Sequence, residues 1–254
     1  MTSLEVVPLP GLPLIRAGDD LVELIASALK LNSVTRRPGD VLVVAQKLVS
    51  KAEGRFVDLA TIEPSAEAIA LAADVDKDPR LVEVILSESV RVVRARRGVL
   101  IVEHRLGFIM ANAGVDQSNV GPAGGSHRVL LLPENPDRSA ETLRRGLKAA
   151  TGTDIAVVVN DSFGRPWRQG TASVAIGVAG LPALIDLRGR PDLFGRKLEV
   201  SVIGFADEVA AAASLLMGQA DEALPAVLIR GLRWSAPEST AASIVRSPKE
   251  DLFR

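Results

Sequence analysis

Short apolar runs, set between charged and turn-forming residues, divide this chain into alternating strands and helices. Residues 4–8 (LEVVP) read as a strand ending in the turn-rich PLPGLP, and residues 40–44 (DVLVV) as a buried strand. Between them, DDLVELIASAL opens on Asp19 and Asp20, good N-terminal residues for a helix, and continues with helical apolar spacing. PSAEAIALAADVD and PRLVEVILSES predict two further short helices, the second with Pro79 near its first turn. VRVVRARRGVLIVEHR predicts two strands turning at residues 96–98. After the glycine-rich GPAGGSH comes a strand, VLLLP. A helix over residues 136–152 follows, capped by Asp137 or Ser139 and closed by Gly152. DIAVVV, VAIGVAG and LEVSVIG predict three more strands, ADEVAAAASLLMG a close-packing apolar helix, and AVLIRG the last strand. The tail from Ser235 reads as peripheral.

This pattern is mixed α and β, without repeats, low-complexity tracts or a linker. The chain has 254 residues, 47% of them hydrophobic, which is enough to bury a substantial core. No apolar run reaches the roughly 20 residues of a membrane span, and the N-terminus lacks the pattern of a signal peptide. With no cysteine, disulfides, thiolate nucleophiles and Cys-type zinc clusters are excluded, so a soluble cytoplasmic protein is expected. Thirty basic against 31 acidic residues leave no global field for nucleic acid or membrane, and 3% aromatics offer no stacking platform. Two histidines, His104 and His127, cannot build a multi-histidine metal site. A metal here would sit among oxygen donors, which suits Mg²⁺ or Mn²⁺.

Four polar stretches follow apolar elements and are candidates for chemistry. NDSFGRPWRQG, at the carboxyl end of the DIAVVV strand, combines Asp161 and Ser162 with Arg165 and Arg168. Asp161 can hold a divalent cation and the arginines can clamp phosphate or carboxylate, although a solvated turn reads equally well. ANAGVDQSN brings Asp116, Ser118 and Asn119, oxygen donors or members of a side-chain-bonded turn. KLVSKAEGR offers Lys47, Lys51 and Arg55 as a polyphosphate contact or a solvated basic edge. MGQADEALP is a glycine helix cap with a polar loop behind it. The P-loop pattern and the dinucleotide GxGxxG after a strand are both missing, so a bound nucleotide would need another fold.

Taken in order, GLPLI, VSKAEGR, GFIMANAGVDQSN, NDSFGRPWRQG with VAIGVAG, FGRKLEV and ADEVAAAASLLMGQADEALP span nearly the whole chain. This ordered set resembles the coenzyme F420-0:L-glutamate ligase family, also called F420-0:gamma-glutamyl ligase. The resemblance implies an α+β, mixed-sheet fold that is neither P-loop nor Rossmann, and an intertwined homodimer. It implies one ligase unit over residues 1–254, or two intertwined subdomains of it, without the C-terminal flavin-binding domain of some relatives. The implied activity is GTP-dependent addition of L-glutamate to the lactyl-phosphate end of a deazaflavin precursor, then of further γ-linked glutamates. Mg²⁺ or Mn²⁺ would be required, with K⁺ as a helper.

Carried over by position, Leu12, Pro13, Leu14, Ile15, Gln46, Lys47, Lys51 and Asn119 would touch GTP. Met217, Gly218, Gln219, Ala220, Asp221 and Glu222 would form a second nucleotide loop. Asp116, Asp161, Ser162 and Gln219 would hold metal, and Asp116, Asp161, Lys51, Arg165 and Arg168 would carry the chemistry. A ligase for another acidic cofactor precursor is the nearest rival, and a catalytically silent nucleotide- and metal-binding module is the rival of another class.

Overall fold

A computed structural model describes residues 3–120 and 127–251, so the expected glycine-rich loop lies, His127 apart, outside the described residues. The first part of the chain comprises β1 (Glu5–Pro8), α1 (Leu21–Leu31), β2 (Val41–Ala45) and α2 (Gln46–Ala52). A middle lobe follows, with β3 (Phe56–Asp58), α3 (Ala66–Val75), α4 (Pro79–Ser87), β4 (Ser89–Arg96), β5 (Val99–His104), β6 (Ile109–Ala111) and β7 (Arg128–Leu130). The last part holds α5 (Pro136–Thr151), β8 (Ala156–Arg165), β9 (Arg168–Ala179), β10 (Ile185–Asp186), β11 (Val202–Ile203), α6 (Phe205–Met217) and β12 (Ala226–Arg230).

The main sheet has the order β1-β12-β2-β8-β9; β2 and β8 run parallel and the other pairs antiparallel. Alternation along its strands sends Leu42, Val44, Val157 and Val159 into one core with α1 and α5. Val41, Val43, Val158 and Val227 face α6 and form a second core. Each fully buried aliphatic side chain contributes about 1.5–3 kcal/mol, so helices on both faces are what stabilises so apolar a sheet. The middle lobe has a core of its own, with Val82, Ile85, Leu100, Val102 and Val129 among its buried members. This mixed α+β architecture agrees with the expected class.

Most expected elements are present, with instructive differences. Helix α1 is capped by Asp20, which accepts from Val22 N–H at 2.8 Å. The cap of α5 is Asn135, not Asp137 or Ser139, because Pro136 occupies the first helical position and leaves the cap to the residue before it. Asp137 is used elsewhere: its carboxylate accepts from Val178 N–H on edge strand β9 and from Ala241 N–H, each at 2.8 Å. That second bond docks the C-terminal tail, whose Ala241 is fully buried, so the tail is not peripheral. Gly177 lets α5 approach this edge, since a Cβ there would come 2.2 Å from the Pro136 carbonyl oxygen. LEVSVIG yields only the two-residue β11, paired with β10 outside the main sheet. KLVSKAEGR, by contrast, is largely helix α2.

The largest difference concerns NDSFGRPWRQG. It is not a loop but the far end of a long hairpin, with β8 and β9 paired out to Arg165 and Arg168 and Trp167 at φ 57° in the turn. Strand β2 ends opposite Asn160, so from residue 161 onward the hairpin extends beyond the sheet as two strands alone.

Candidate active site

The directions of the strands bring the site together. The carboxyl ends of β1, β2 and β8 and the start of β12 share one edge of the main sheet. That edge therefore collects residues 9–15, helix α2, residues 160–163 and the turn after α6. The middle lobe adds Asp116, whose backbone N–H and C=O both bond Leu130 at 2.9 Å.

Lys47, on the first turn of α2, is central. Its Nζ lies 2.7 Å from Asp116 Oδ2 and 2.8 Å from Ser118 Oγ. Asp116 Oδ1 also accepts from Ser118 N–H at 2.7 Å, so the side-chain-bonded turn read from ANAGVDQSN exists and presents its second oxygen to a lysine. One helical turn on, Lys51 Nζ donates to Asn119 O at 2.5 Å, and Asn119 Nδ2 donates to Ala220 O at 3.1 Å. Three segments distant in sequence are thereby joined. Burial and the nearby charge of Lys47 lower the Lys51 pKa, against the opposing pull of Asp116.

Asp161 shares the sheet face of Val157 and Val159, on the α2 side. Its pKa is pushed up to about 7, chiefly because it is withdrawn from water. The Ser162 N–H bond opposes the rise, Asp116 adds to it and Lys47 partly offsets it. Two carboxylates from separately built parts of the fold thus share a corner with Lys47 between their fields. Among the described residues, no group of three or more His, Cys, Asp or Glu side chains could hold a metal. Two carboxylates, one of them withdrawn from water and only partly offset by Lys47, still fit Mg²⁺ or Mn²⁺, which complete their shell with water and substrate phosphates.

The other expected residues divide by position. Ser162, next along the strand, turns its side chain to the α6 face, which it shares with Asn160. The amide of Asn160 touches Met217 Sδ at 3.7 Å, two residues before the exposed Gln219. Gly218 ends α6 at φ 69°, and Glu222 folds back so that its carboxylate accepts from Ala220 N–H at 2.8 Å. Asp221 is exposed beside it. Leu12 and Ile15 pack on the core, whereas Pro13 and Leu14 are exposed near α2, where Gly18 N–H bonds Ala52 O. Gln46 is buried and accepts from Ser50 Oγ at 2.9 Å. Arg165 and Arg168 occupy the exposed hairpin tip, ~13 Å along the strand from Asp161, and Arg165 bonds Gln169 O at 3.2 Å. They are not gathered with the lysine–carboxylate corner.

From sequence, Ser118 reads only as an oxygen donor or turn member beside Asp116, and Asn160 has no role. Ser118 completes the Lys47–Asp116 contact, and its position two after an aspartate was the available signal. Asn160 is a buried amide at a strand end, which nothing in a local pattern separates from the adjacent apolar run.

A family model, F420-0:Gamma-glutamyl ligase, matches residues 11–231. A coenzyme F420:L-glutamate ligase of Methanopyrus kandleri is 47% identical, over all of this chain and 99% of its own length. One from Methanothermobacter thermautotrophicus is 45% identical over 99% of both chains, and one from Archaeoglobus fulgidus 44% identical over 98% of this chain and 96% of its own. With the full span matched and the Asp116–Lys47–Asp161 corner assembled, this chain belongs to the F420-0:gamma-glutamyl ligase family of ligases.

Proposed function

We propose that the chain is a GTP-dependent ligase that joins L-glutamate to coenzyme F420-0 and then adds further γ-linked glutamates. The observation that carries this reading is the convergence of Asp116, Asp161, Lys47 and Lys51 from separate segments at one sheet edge. A carboxylate does not condense with an amine in water, because oxide would have to leave. In the proposed first step the acceptor carboxylate oxygen bonds the γ-phosphorus of GTP, the bond to the β-phosphate oxygen breaks, and GDP leaves. The neutral glutamate amine then bonds the acyl carbon, phosphate departs, and one amine proton passes to water while the other stays on the amide nitrogen.

Such chemistry asks the protein mainly for positioning and charge neutralisation. Lys47 and Lys51 meet the triphosphate, and Asn119 and the turn of residues 217–222 hold the nucleotide. Asp116 and Asp161 would hold the Mg²⁺ or Mn²⁺, with Ser162 and Gln219 contributing from the α6 side. When bound, the metal supplies positive charge against the phosphates. K⁺ is a further helper cation in this reading. Arg165 and Arg168 take the outer anionic groups of the acceptor.

The reading includes a cytoplasmic homodimer. No described helix is long and apolar enough to cross a membrane. Leu193 and Phe194, 98% and 96% exposed on the excursion between β10 and β11, are an apolar tip that a second subunit would cover. Sedimentation at single-subunit mass would remove the dimer from the proposal.

Mass spectrometry of F420-0 incubated with the protein, GTP, L-glutamate and Mn²⁺ or Mg²⁺ tests the whole. The expected result is a ladder of products spaced by one glutamyl unit. An unchanged precursor, from protein that still binds GTP and metal, would point to another acceptor or to a silent binding module.

A further inference from the structure

A cavity of about 240 Å³ opens at Val174, the cross-strand partner of Asp161. Its walls are Phe108 and Ile109 at the β5–β6 turn, Phe163 and Val174 on the hairpin, and Val245 on the tail. Phe163 lies two residues beyond Asp161 on the same strand face. The Phe108 and Phe163 rings meet edge to face, with centroids 5.7 Å apart and planes at 75°.

Each wall is held by bonds of its own. The β5–β6 turn is closed by Gly107 N–H to His104 O at 2.7 Å and by His104 N–H to Phe108 O at 2.8 Å. The tail is anchored through Ala241 to Asp137, and Val245 packs so closely on Gly107 that a Cβ there would lie 3.0 Å from Val245 Cγ1. Asp207, which also lines the cavity, spends one oxygen on Ala175 N–H at 2.9 Å. Arg246, exposed, is the one cation among the described lining residues. A deeper-volumed hollow of about 750 Å³, lined by α1 and by residues 33–36, lies at the opposite end of the main sheet.

We infer that the cavity at Val174 is the subsite for the planar aromatic ring system of the acceptor. The inference rests on the reading above, in which that acceptor is a deazaflavin. Its volume falls below the ~300–1,000 Å³ that enclose whole drug-sized ligands, so it takes one ring system and leaves the rest of the molecule outside. Glutamate brings two carboxylates and one ammonium, whereas the lining offers phenylalanine and valine with one exposed cation, Arg246, beside two carboxylates, Asp207 and Asp251, so its charges would lose hydration for little return. A flat ring gains from the same walls. The polyol and phosphodiester tether then runs out past Arg246 and brings the terminal carboxylate back to Asp161.

The test is a titration of F420-0 into the full chain without GTP. It follows deazaflavin fluorescence, its shielding from iodide, and the response to Ile109→Trp, which fills the slot from its half-exposed rim. The expected result is a shielded ring in the wild type and at least tenfold weaker acceptor binding in Ile109→Trp, with GTP affinity unchanged. Phe163→Ala, checked by thermal melting for retained fold, should expose the ring to iodide. A bound ring fully open to iodide would overturn the inference, as would an Ile109→Trp variant that raises only the KM for glutamate. A shielded ring without any glutamylated product would instead sink the ligase reading and leave the subsite standing.

Discussion

Glu88 and Asp161 are both carboxylates drawn away from water, yet they sit at opposite ends of the acidity range. Glu88 closes α4 among three basic groups: Arg55 Nη2 and Arg105 Nε at 3.1 Å, and His104 Nε2 at 3.5 Å. His104 is fully buried and its Nδ1 accepts from Leu106 N–H at 3.0 Å, so the ring proton sits on Nε2, facing Glu88. Burial alone would raise the Glu88 pKa, but the His104 ring facing it at 3.5 Å and the charges of Arg105 and Arg55 overcome it and hold it at about 2. Arg55 also donates to Leu132 O at 2.9 Å, so this hub ties the segment after α2 to the middle lobe. At Asp161 the balance fails: a second carboxylate adds to the cost of burial, and Lys47 offsets only part. A carboxylate matched with cations serves the fold; one left short of them has capacity for a cation that the chain itself does not supply.

The comparison can be broken by mutation, and the largest effect belongs to the unmatched side. Asp161→Ala should lower turnover by ~10³ or more while circular dichroism and melting stay native, because a developing charge loses several kcal/mol of stabilisation. Wild-type-like turnover would refute the metal-holding role proposed for Asp161. Glu88→Ala should leave Arg55, His104 and Arg105 without their partner and cost about 3–5 kcal/mol in urea unfolding.

Glu88→Gln sharpens the same point through pH. The folded carboxyl is a stronger acid than its ordinary value of 4.5, so its stabilisation is complete above that pH and is lost as pH falls toward about 2. The gap between wild type and Glu88→Gln should close across that window, and a gap constant with pH would refute the ion-pair account. Asp161→Asn in metal-free protein should have the opposite sign, with stabilisation by ~1 kcal/mol at pH 8. Because the folded Asp161 pKa of about 7 lies above the ordinary 3.8, this gain should appear as pH rises between those values and vanish below them. The smallest effect is Arg168→Ala, a few-fold rise in the KM for the acceptor, under ~1 kcal/mol for an exposed arginine.

Much of the fold was legible because its signals are local. The buried strand β2, the first four residues of β8 and β12 up to Ile229 are unbroken apolar runs, and α1 and α4 carry aspartate caps and helical spacing. The hairpin end has the local look of a solvated turn, because glycine, proline and arginine there imitate turn chemistry. Its pairing is set by β9, which the local pattern recognised only from residue 174 onward. The cap of α5 was misplaced because Asp137 is a good capping residue locally, while its partners, Val178 and Ala241, lie 41 and 104 positions away. Within the site, residue types were readable at Asp116, Lys51 and Asp161; their juxtaposition was not.

By itself the sequence determined the periods, the cap of α1 and the ordered motifs, and hence the class of fold and the family, since each depends on neighbours within a few residues. Only the tertiary structure decided that Lys47 meets Asp116, that Asn119 reaches the turn at Ala220, and that Arg165 and Arg168 stand apart at the hairpin tip. The parallel pairing of β2 with β8 joins residues more than a hundred positions apart. Such contacts follow from how whole faces pack and which strand ends share an edge, and a pairwise distance of that kind is not written in either local stretch.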